Sequence, residues 1–153
     1  ESEQLGTAGA LRLLPSRPTT PILVMNGDIL TALDARLLML YHREQGAPAT
    51  MCVREYDWKV PYGVVQVGDN GRVAGFEEKP TRREFVNAGI YVLSPEAIDL
   101  LPPAGAVDMP TLLDRIAERM VPPAVYRLRE YWLDIGQLED LRRAQADLPS
   151  VLQ

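Results

Sequence analysis

The chain has one cysteine, one histidine and two phenylalanines among its 153 residues. A lone cysteine, Cys52, excludes an internal disulfide and a zinc site built from several thiolates. Within "ATMCVRE" it reads as a small residue of a strand. His42 is also alone, in a helical pattern with no Cys or Ser near it in sequence, which argues against a His-based triad. Cations are in the minority, 16 Lys and Arg against 21 Asp and Glu, for a net charge of −5. That balance lacks the clustered basic residues of a nucleic-acid surface, but it leaves open a small phosphorylated ligand, which needs only one or two placed cations. No apolar run nears the roughly 18 to 20 residues that cross a bilayer. Glu1-Ser2-Glu3 lacks the basic start of a signal peptide. The expectation is a cytoplasmic protein with neither a nucleic-acid nor a membrane partner.

The rest of the composition, 46% hydrophobic and 24% charged, suits one ordinary domain with a real core. "LGTAGALRLLP" is a Gly-containing loop entering a short helix that Pro15 stops, with Thr7 as its N-cap. "ILVMN" reads as a buried strand and "LDARLLMLYHREQG" as an amphipathic helix closed by Gly46. "ATMCVRE" is a second strand. "YGVVQVGDNGRVAGFEEKP" turns at Asp69-Asn70-Gly71 in a hairpin, and "FVNAGIYVL" is a further strand before a Pro95-led helix, "PEAIDLL". "DMPTLLDRIAERM" is helical, "PAVYRLR" a late strand and "LEDLRRAQADL" a closing helix. Strands alternating with helices around one hairpin predict an α/β fold with a mixed sheet. No repeat and no linker long enough to divide two domains is visible.

Three stretches carry chemistry. In "ILVMNGDIL" and "YWLDIG", Asp28 and Asp134 each close an apolar strand. A carboxylate there must be paired, hydrogen-bonded or metal-bound. Two such acids meet the needs of a hard cation such as Mg²⁺, which takes one or two protein oxygens and fills its octahedron with phosphate and water. The plainer reading makes each aspartate a cap for the turn or helix that follows. In "FEEKP", Lys79 would neutralise a phosphate and a neighbouring carboxylate would accept sugar hydroxyls, the alternative being a solvated hairpin edge. Asn87-Ala88-Gly89 interrupts a strand as a ligand's close approach would, or as a β-bulge.

"LGTAGA", "VMNGDIL", "VPYGVV", "FEEKP", "VNAGIYVL" and "YWLDIG", in this order from Leu5 to Gly136, resemble the sugar-phosphate nucleotidyltransferase family, and most closely its members of the mannose-1-phosphate guanylyltransferase type. The resemblance implies a Rossmann-like α/β domain that joins a nucleoside triphosphate, GTP by overall likeness, to a sugar 1-phosphate and releases pyrophosphate. It implies that Asp28 and Asp134 hold the catalytic Mg²⁺, and that Gly6, Thr7 and Ala8 lie along the nucleotide. It further implies that Gly63 contacts the sugar, Glu78 accepts its hydroxyls and Lys79 binds its phosphate. Asn87 and Gly89 would line the sugar pocket, with Tyr91 and Trp132 in its wall.

The family's N-terminal strand and Gly-rich loop, roughly G-G-x-G-x-R-L, and its P-K-P segment do not occur here. The expectations that follow are that residues 1–153 form the C-terminal part of a single nucleotidyltransferase domain, inert alone and self-associating through the opened sheet. A non-catalytic, sugar-nucleotide-binding regulatory domain of the same fold and an oligomerisation scaffold are the two alternatives.

Overall fold

A computed structural model describes residues 4–151. Glu1-Ser2-Glu3, which bear on the leader reading, lie outside the described residues. The chain divides into two compact units, Glu1–Val53 with Asn87–Gln153, and Arg54–Val86. No linker separates them, because the strands β3 (Ala49–Lys59) and β6 (Thr81–Leu93) each run from one into the other.

The larger unit is built on a mixed sheet with strand order β1-β6-β3-β7, where β1 is Ile22–Met25 and β7 is Ala124–Arg127. β1 pairs antiparallel with β6 and β7 pairs parallel with β3, as the α/β expectation requires. The apolar run at the end of β6 is explained by burial on both faces. Tyr91 and Leu93 belong to one core cluster with Leu112 and Ile116 of α4 (Met109–Arg119), while Ala88, Ile90 and Val92 belong to another with Leu38 of α2 (Ala35–Gln45). Alternate side chains of a strand point to opposite faces, so helices cover this sheet on two sides.

The expected close of α2 at Gly46 is met, and a cap that was not foreseen opens the same helix. Asp34 caps α2 by accepting the Arg36 backbone N–H at 2.9 Å, and Gly46 closes the helix in the left-handed region at φ 59°. Other expectations are corrected. "ILVMN" does not form a strand buried on both faces: Ile22 and Val24 pack on the core, whereas Leu23 and Met25 are 40% and 48% exposed, because β1 is an edge of the sheet. His42 does have hydroxyl neighbours. It is buried, with Nδ1 2.8 Å from Thr50 Oγ1 and Nε2 3.0 Å from Ser94 Oγ, groups that β3 and the end of β6 bring to it. Neither ring nitrogen bonds a carboxylate, so the trio bridges helix to sheet rather than forming a charge-supported triad. Cys52 is fully buried on β3, and burial pushes its thiol up to about 12.

The smaller unit holds the expected hairpin, β4 (Val64–Val67) antiparallel to β5 (Val73–Glu77), turning through Gly71 at φ 71°. β3 and β6 extend further than their apolar patterns indicated, through polar residues that pair across the strands: Arg83 Nε donates to Asp57 at 2.7 Å, and its Nη1 lies 3.6 Å from Glu55. Among the described residues, no helix is long and apolar enough to cross a membrane.

Candidate active site

The larger unit's site grows from the end of β1. After Met25 the chain turns through Asn26-Gly27-Asp28, with the Ile29 N–H donating to the Asn26 carbonyl at 3.4 Å, and re-enters extended structure as β2 (Ile29–Thr31). This short strand was not distinguished in the sequence. It pairs antiparallel with β8 (Trp132–Asp134), placing Ile29 opposite Asp134, and the Ile135 N–H donates to the Asp28 carbonyl at 2.9 Å. Two aspartates remote along the chain therefore flank one two-stranded ladder.

Both carboxylates are exposed, and among the described residues neither has a side-chain hydrogen bond that would make it a cap. The cap before α5 (Leu138–Val151) is instead Asp140, which accepts the Gln137 N–H at 3.0 Å. Asp134 is held above the usual carboxylate range, by partial burial first and then by the negative charges of Asp28 and Asp140. A carboxylate raised by its acidic neighbours is a place where a cation lowers the energy. Among the described residues no group of three or more His, Cys, Asp or Glu is arranged to hold a metal. Two carboxylates with the remaining positions left to phosphate and water is nevertheless the donor set that Mg²⁺ commonly uses, and Asp28 with Asp134 fits it.

Asp28 also lines a cavity of about 790 Å³, whose other residues include Gly6, Thr7, Asn26, Gly27 and Asp108. Asp134 is not part of its lining. The Gly6 loop is clamped to the segment before α4. The Ala8 and Gly9 N–H groups both donate to the Val107 carbonyl at 2.9 Å, and the Val107 N–H returns to the Leu5 carbonyl at 2.8 Å. Gly6 sits at φ 75°, and a Cβ there would lie 2.6 Å from the Val107 oxygen, so only glycine permits the approach. Thr7 does not cap α1 (Gly6–Gly9), as its position suggested. Its hydroxyl accepts the Met109 N–H at 2.8 Å, capping α4 instead. Ala8 is buried behind the loop.

A second chain of contacts runs along β6. Gly89, buried at φ 69°, faces Asn26, whose Nδ2 would be 2.9 Å from an added Cβ, and its carbonyl accepts the Asn26 N–H at 2.9 Å. Asn87 Oδ1 accepts the Gly89 N–H at 2.9 Å, and the Tyr91 hydroxyl lies 2.6 Å from Asn87 Nδ2. Tyr91 is only 2% exposed, so its ring is core and its hydroxyl orients Asn87, which is exposed. Burial raises the Tyr91 phenol, and the Asn87 hydrogen bond partly opposes that. Trp132 is part-buried, with Nε1–H donating to the Ala88 carbonyl at 2.8 Å.

Gly63, Glu78 and Lys79 belong to the smaller unit and form a group of their own. A Cβ on Gly63 would be 3.0 Å from Glu78 Oε2, and Lys79 Nζ is 3.9 Å from Glu78 Oε1. Both charged side chains are more than half exposed. Lys79 stands at φ 44°, the only non-glycine in the left-handed region among the described residues. Such a conformation is uncommon for lysine and clusters at functional positions.

Sequence reasoning passed over two cavity residues. Asn26 was read only as the end of the strand "ILVMN", and Asp108 only as the first residue of the helical stretch "DMPTLLDRIAERM". What marks them is tertiary: the Gly89 backbone under Asn26, and the Gly6 loop against Asp108.

The sequence profile described as "Nucleotidyl transferase" matches residues 1–151. A mannose-1-phosphate guanyltransferase of Pichia angusta is 35% identical over 151 residues, covering 92% of this chain and 40% of that protein. A UTP–glucose-1-phosphate uridylyltransferase of Synechocystis is 33% identical, with 92% of this chain and 39% of that protein covered. The chain thus spans about two fifths of the length of the curated relatives it matches. HddC from Yersinia pseudotuberculosis superposes with a TM-score of 0.62 at 24% identity, over 97% of this chain and 64% of that one, and has also been solved in complex with GMP-PN. A putative glucose-1-phosphate thymidylyltransferase from Bacillus anthracis superposes with a TM-score of 0.67 at 22% identity, over 95% and 62%. At these identities the superpositions show the fold.

Proposed function

The chain belongs to the nucleotidyl transferase family, and from that premise we propose that it is the metal- and sugar-phosphate-binding part of an enzyme that transfers a nucleotidyl group to a sugar 1-phosphate, releasing pyrophosphate and forming a nucleotide-sugar. The observation that carries the reading is the placement of Asp28 and Asp134 at the same end of the β2–β8 ladder, Asp134 opposite Ile29 and the Ile135 N–H bonded to the Asp28 carbonyl at 2.9 Å. A guanine nucleotide and mannose 1-phosphate are the substrates favoured, since relatives of that name recur among those 31–35% identical.

The reaction needs no protein nucleophile. An anionic oxygen of the sugar 1-phosphate attacks the α-phosphorus of the triphosphate, the bond to the bridging oxygen breaks, and pyrophosphate leaves with that electron pair. The obstacle is repulsion between two polyanions, so catalysis is positioning and charge compensation. Mg²⁺ held by Asp28 and Asp134 would supply part of that compensation. Lys79 would hold the sugar's phosphate and Glu78 would accept its hydroxyls, while Asn87, kept in place by Tyr91 and the Gly89 N–H, would present its amide to the sugar. Gly6 and Thr7 would receive the nucleoside. Trp132 positions the Ala88 backbone between these groups.

Calorimetric titration of the chain with GDP-mannose and Mg²⁺ tests this. Binding that requires the cation is expected, weakened at least tenfold by Asp134→Asn. Cation-independent binding, equal in the variant, would remove the two acids from the reading. A second reading, binding of a sugar nucleotide without turnover, has one observation in its favour: among the described residues, the cavity lining includes no lysine, arginine or histidine to receive a departing pyrophosphate.

A further inference from the structure

Among the described residues, the cavity beside Asp28 is lined by two carboxylates, Asp28 and Asp108, together with the amides of Gln4 and Asn26 and the Thr7 hydroxyl, and by no cationic side chain. A pocket of this composition is a poor host for bare phosphate and a good one for the uncharged, donor-bearing part of a nucleotide. Asp28 is already committed to the metal in the reading above. Asp108 is not.

Its side chain is held in a particular way. Oδ1 accepts the Thr7 backbone N–H at 3.2 Å, and it lies 2.8 Å from where a Cβ on Gly6 would be, so the carboxylate rests against a backbone that only glycine allows so near. Asp108 stands at the N-cap position of α4, yet its side chain makes no cap hydrogen bond; Thr7 Oγ1 takes the Met109 N–H instead. One partner has thus displaced Asp108 from the work its position suggests. Its carboxylate, anchored through one oxygen, is left solvent-exposed on the cavity wall. A carboxylate with an open edge accepts two adjacent hydrogen-bond donors.

We propose that Asp108 is the residue that selects the nucleoside, its carboxylate accepting a pair of neighbouring donors on the nucleotide that occupies the Gly6–Asp28 cavity. The inference rests on the nucleotidyl transferase reading of this site. Two parts of a guanine nucleotide carry such a donor pair, the N1–H and exocyclic amine of the base and the 2′- and 3′-hydroxyls of the ribose. They share one chemistry and are separable by analogues.

The test is equilibrium binding of GTP, ITP and 2′-deoxy-GTP, each with Mg²⁺, to the wild-type chain and to Asp108→Asn. Asparagine keeps a carbonyl for the Thr7 N–H, so folding should survive, which thermal melting verifies. It replaces one acceptor by a donor, and GTP affinity should fall about 10- to 100-fold, the range for a lost hydrogen bond to a charged group. If the base is read, ITP binds wild type about as weakly as GTP binds the variant, and the substitution adds little further loss for ITP. If the ribose is read, 2′-deoxy-GTP behaves that way instead. Equal GTP affinity in both proteins overturns the role of Asp108 while leaving the family's chemistry at this site intact. A wild-type chain that binds none of the three nucleotides but still takes up mannose 1-phosphate overturns the nucleoside cavity itself. If it takes up neither, the functional reading falls with it.

Discussion

Replacing Gly89 by alanine should destabilise the larger unit by about 2 kcal/mol, and the figure can be built from two observed features. Gly89 stands at φ 69°, a region that costs an L-residue about 1–2 kcal/mol. The new Cβ would also meet Asn26, at 2.9 Å from Nδ2 and 3.1 Å from Cγ, an overpacking term of about 1 kcal/mol that rotation of the amide only partly relieves, because Asn26 Cβ follows at 3.4 Å. Against these stands a gain of about 0.4–1 kcal/mol from the smaller entropy of the unfolded alanine chain. For a protein of this size the net effect corresponds to a melting temperature lower by roughly 4–8 °C. Gly27→Ala is the matched control, since a Cβ there meets nothing within 4 Å and the backbone is not in the left-handed region. It should leave stability unchanged or raise it by up to about 1 kcal/mol, through the same unfolded-chain entropy. Both variants are compared with wild type by urea denaturation followed by circular dichroism. Similar midpoints for the two alanine variants would refute the argument, because Gly89 differs from Gly27 in its left-handed φ, its contact with Asn26 and its burial. Asn26→Ala combined with Gly89→Ala divides the loss further: recovery of a small part is expected, with the backbone strain remaining.

Four other outcomes follow from the same structure. His42 is held below its ordinary range, chiefly by burial, opposed by Glu96 and aided by Arg43; the unfolded chain then binds more protons, so stability should be full above about pH 6.5 and fall as pH drops below it. Denaturation midpoints measured between pH 7 and 5 should show that slope in wild type and a flatter one in His42→Gln. Cys52, with its thiol at about 12, should resist iodoacetamide at pH 8 in the native chain and react on unfolding, whereas prompt native labelling would show it accessible. Trp132→Phe loses the 2.8 Å bond to the Ala88 carbonyl and should cost about 0.5–1.5 kcal/mol, read in the same denaturation assay. Given a cavity lined, among the described residues, by no cationic side chain, residues 1–153 alone should release no measurable pyrophosphate from GTP and mannose 1-phosphate; steady turnover would contradict that.

Much of this molecule could be read along the line of the chain because the forces involved are local. The alternation of β4 and β5 around Asp69-Asn70-Gly71, the Gly46 cap of α2 and the apolar stripe of α4 follow from periodicity and backbone preference, which a neighbour a few residues away sets. That Asp28 and Asp134 each close an apolar run was also visible, since an aspartate in such a place asks for a partner wherever it lies. Other features depend on groups far apart in sequence. Leu23 and Met25 look buried until β1 proves to be a sheet edge, His42 looks isolated until β3 and β6 deliver Thr50 and Ser94, and Thr7 looks like the cap of its own helix until α4 arrives to claim its hydroxyl. That Asp28 and Asp134 come to the same end of the β2–β8 ladder, and that Asp108 is freed to face the cavity, were decided by packing alone, because electrostatic and hydrogen-bond energies depend on distance in space, about which separation along the chain says nothing.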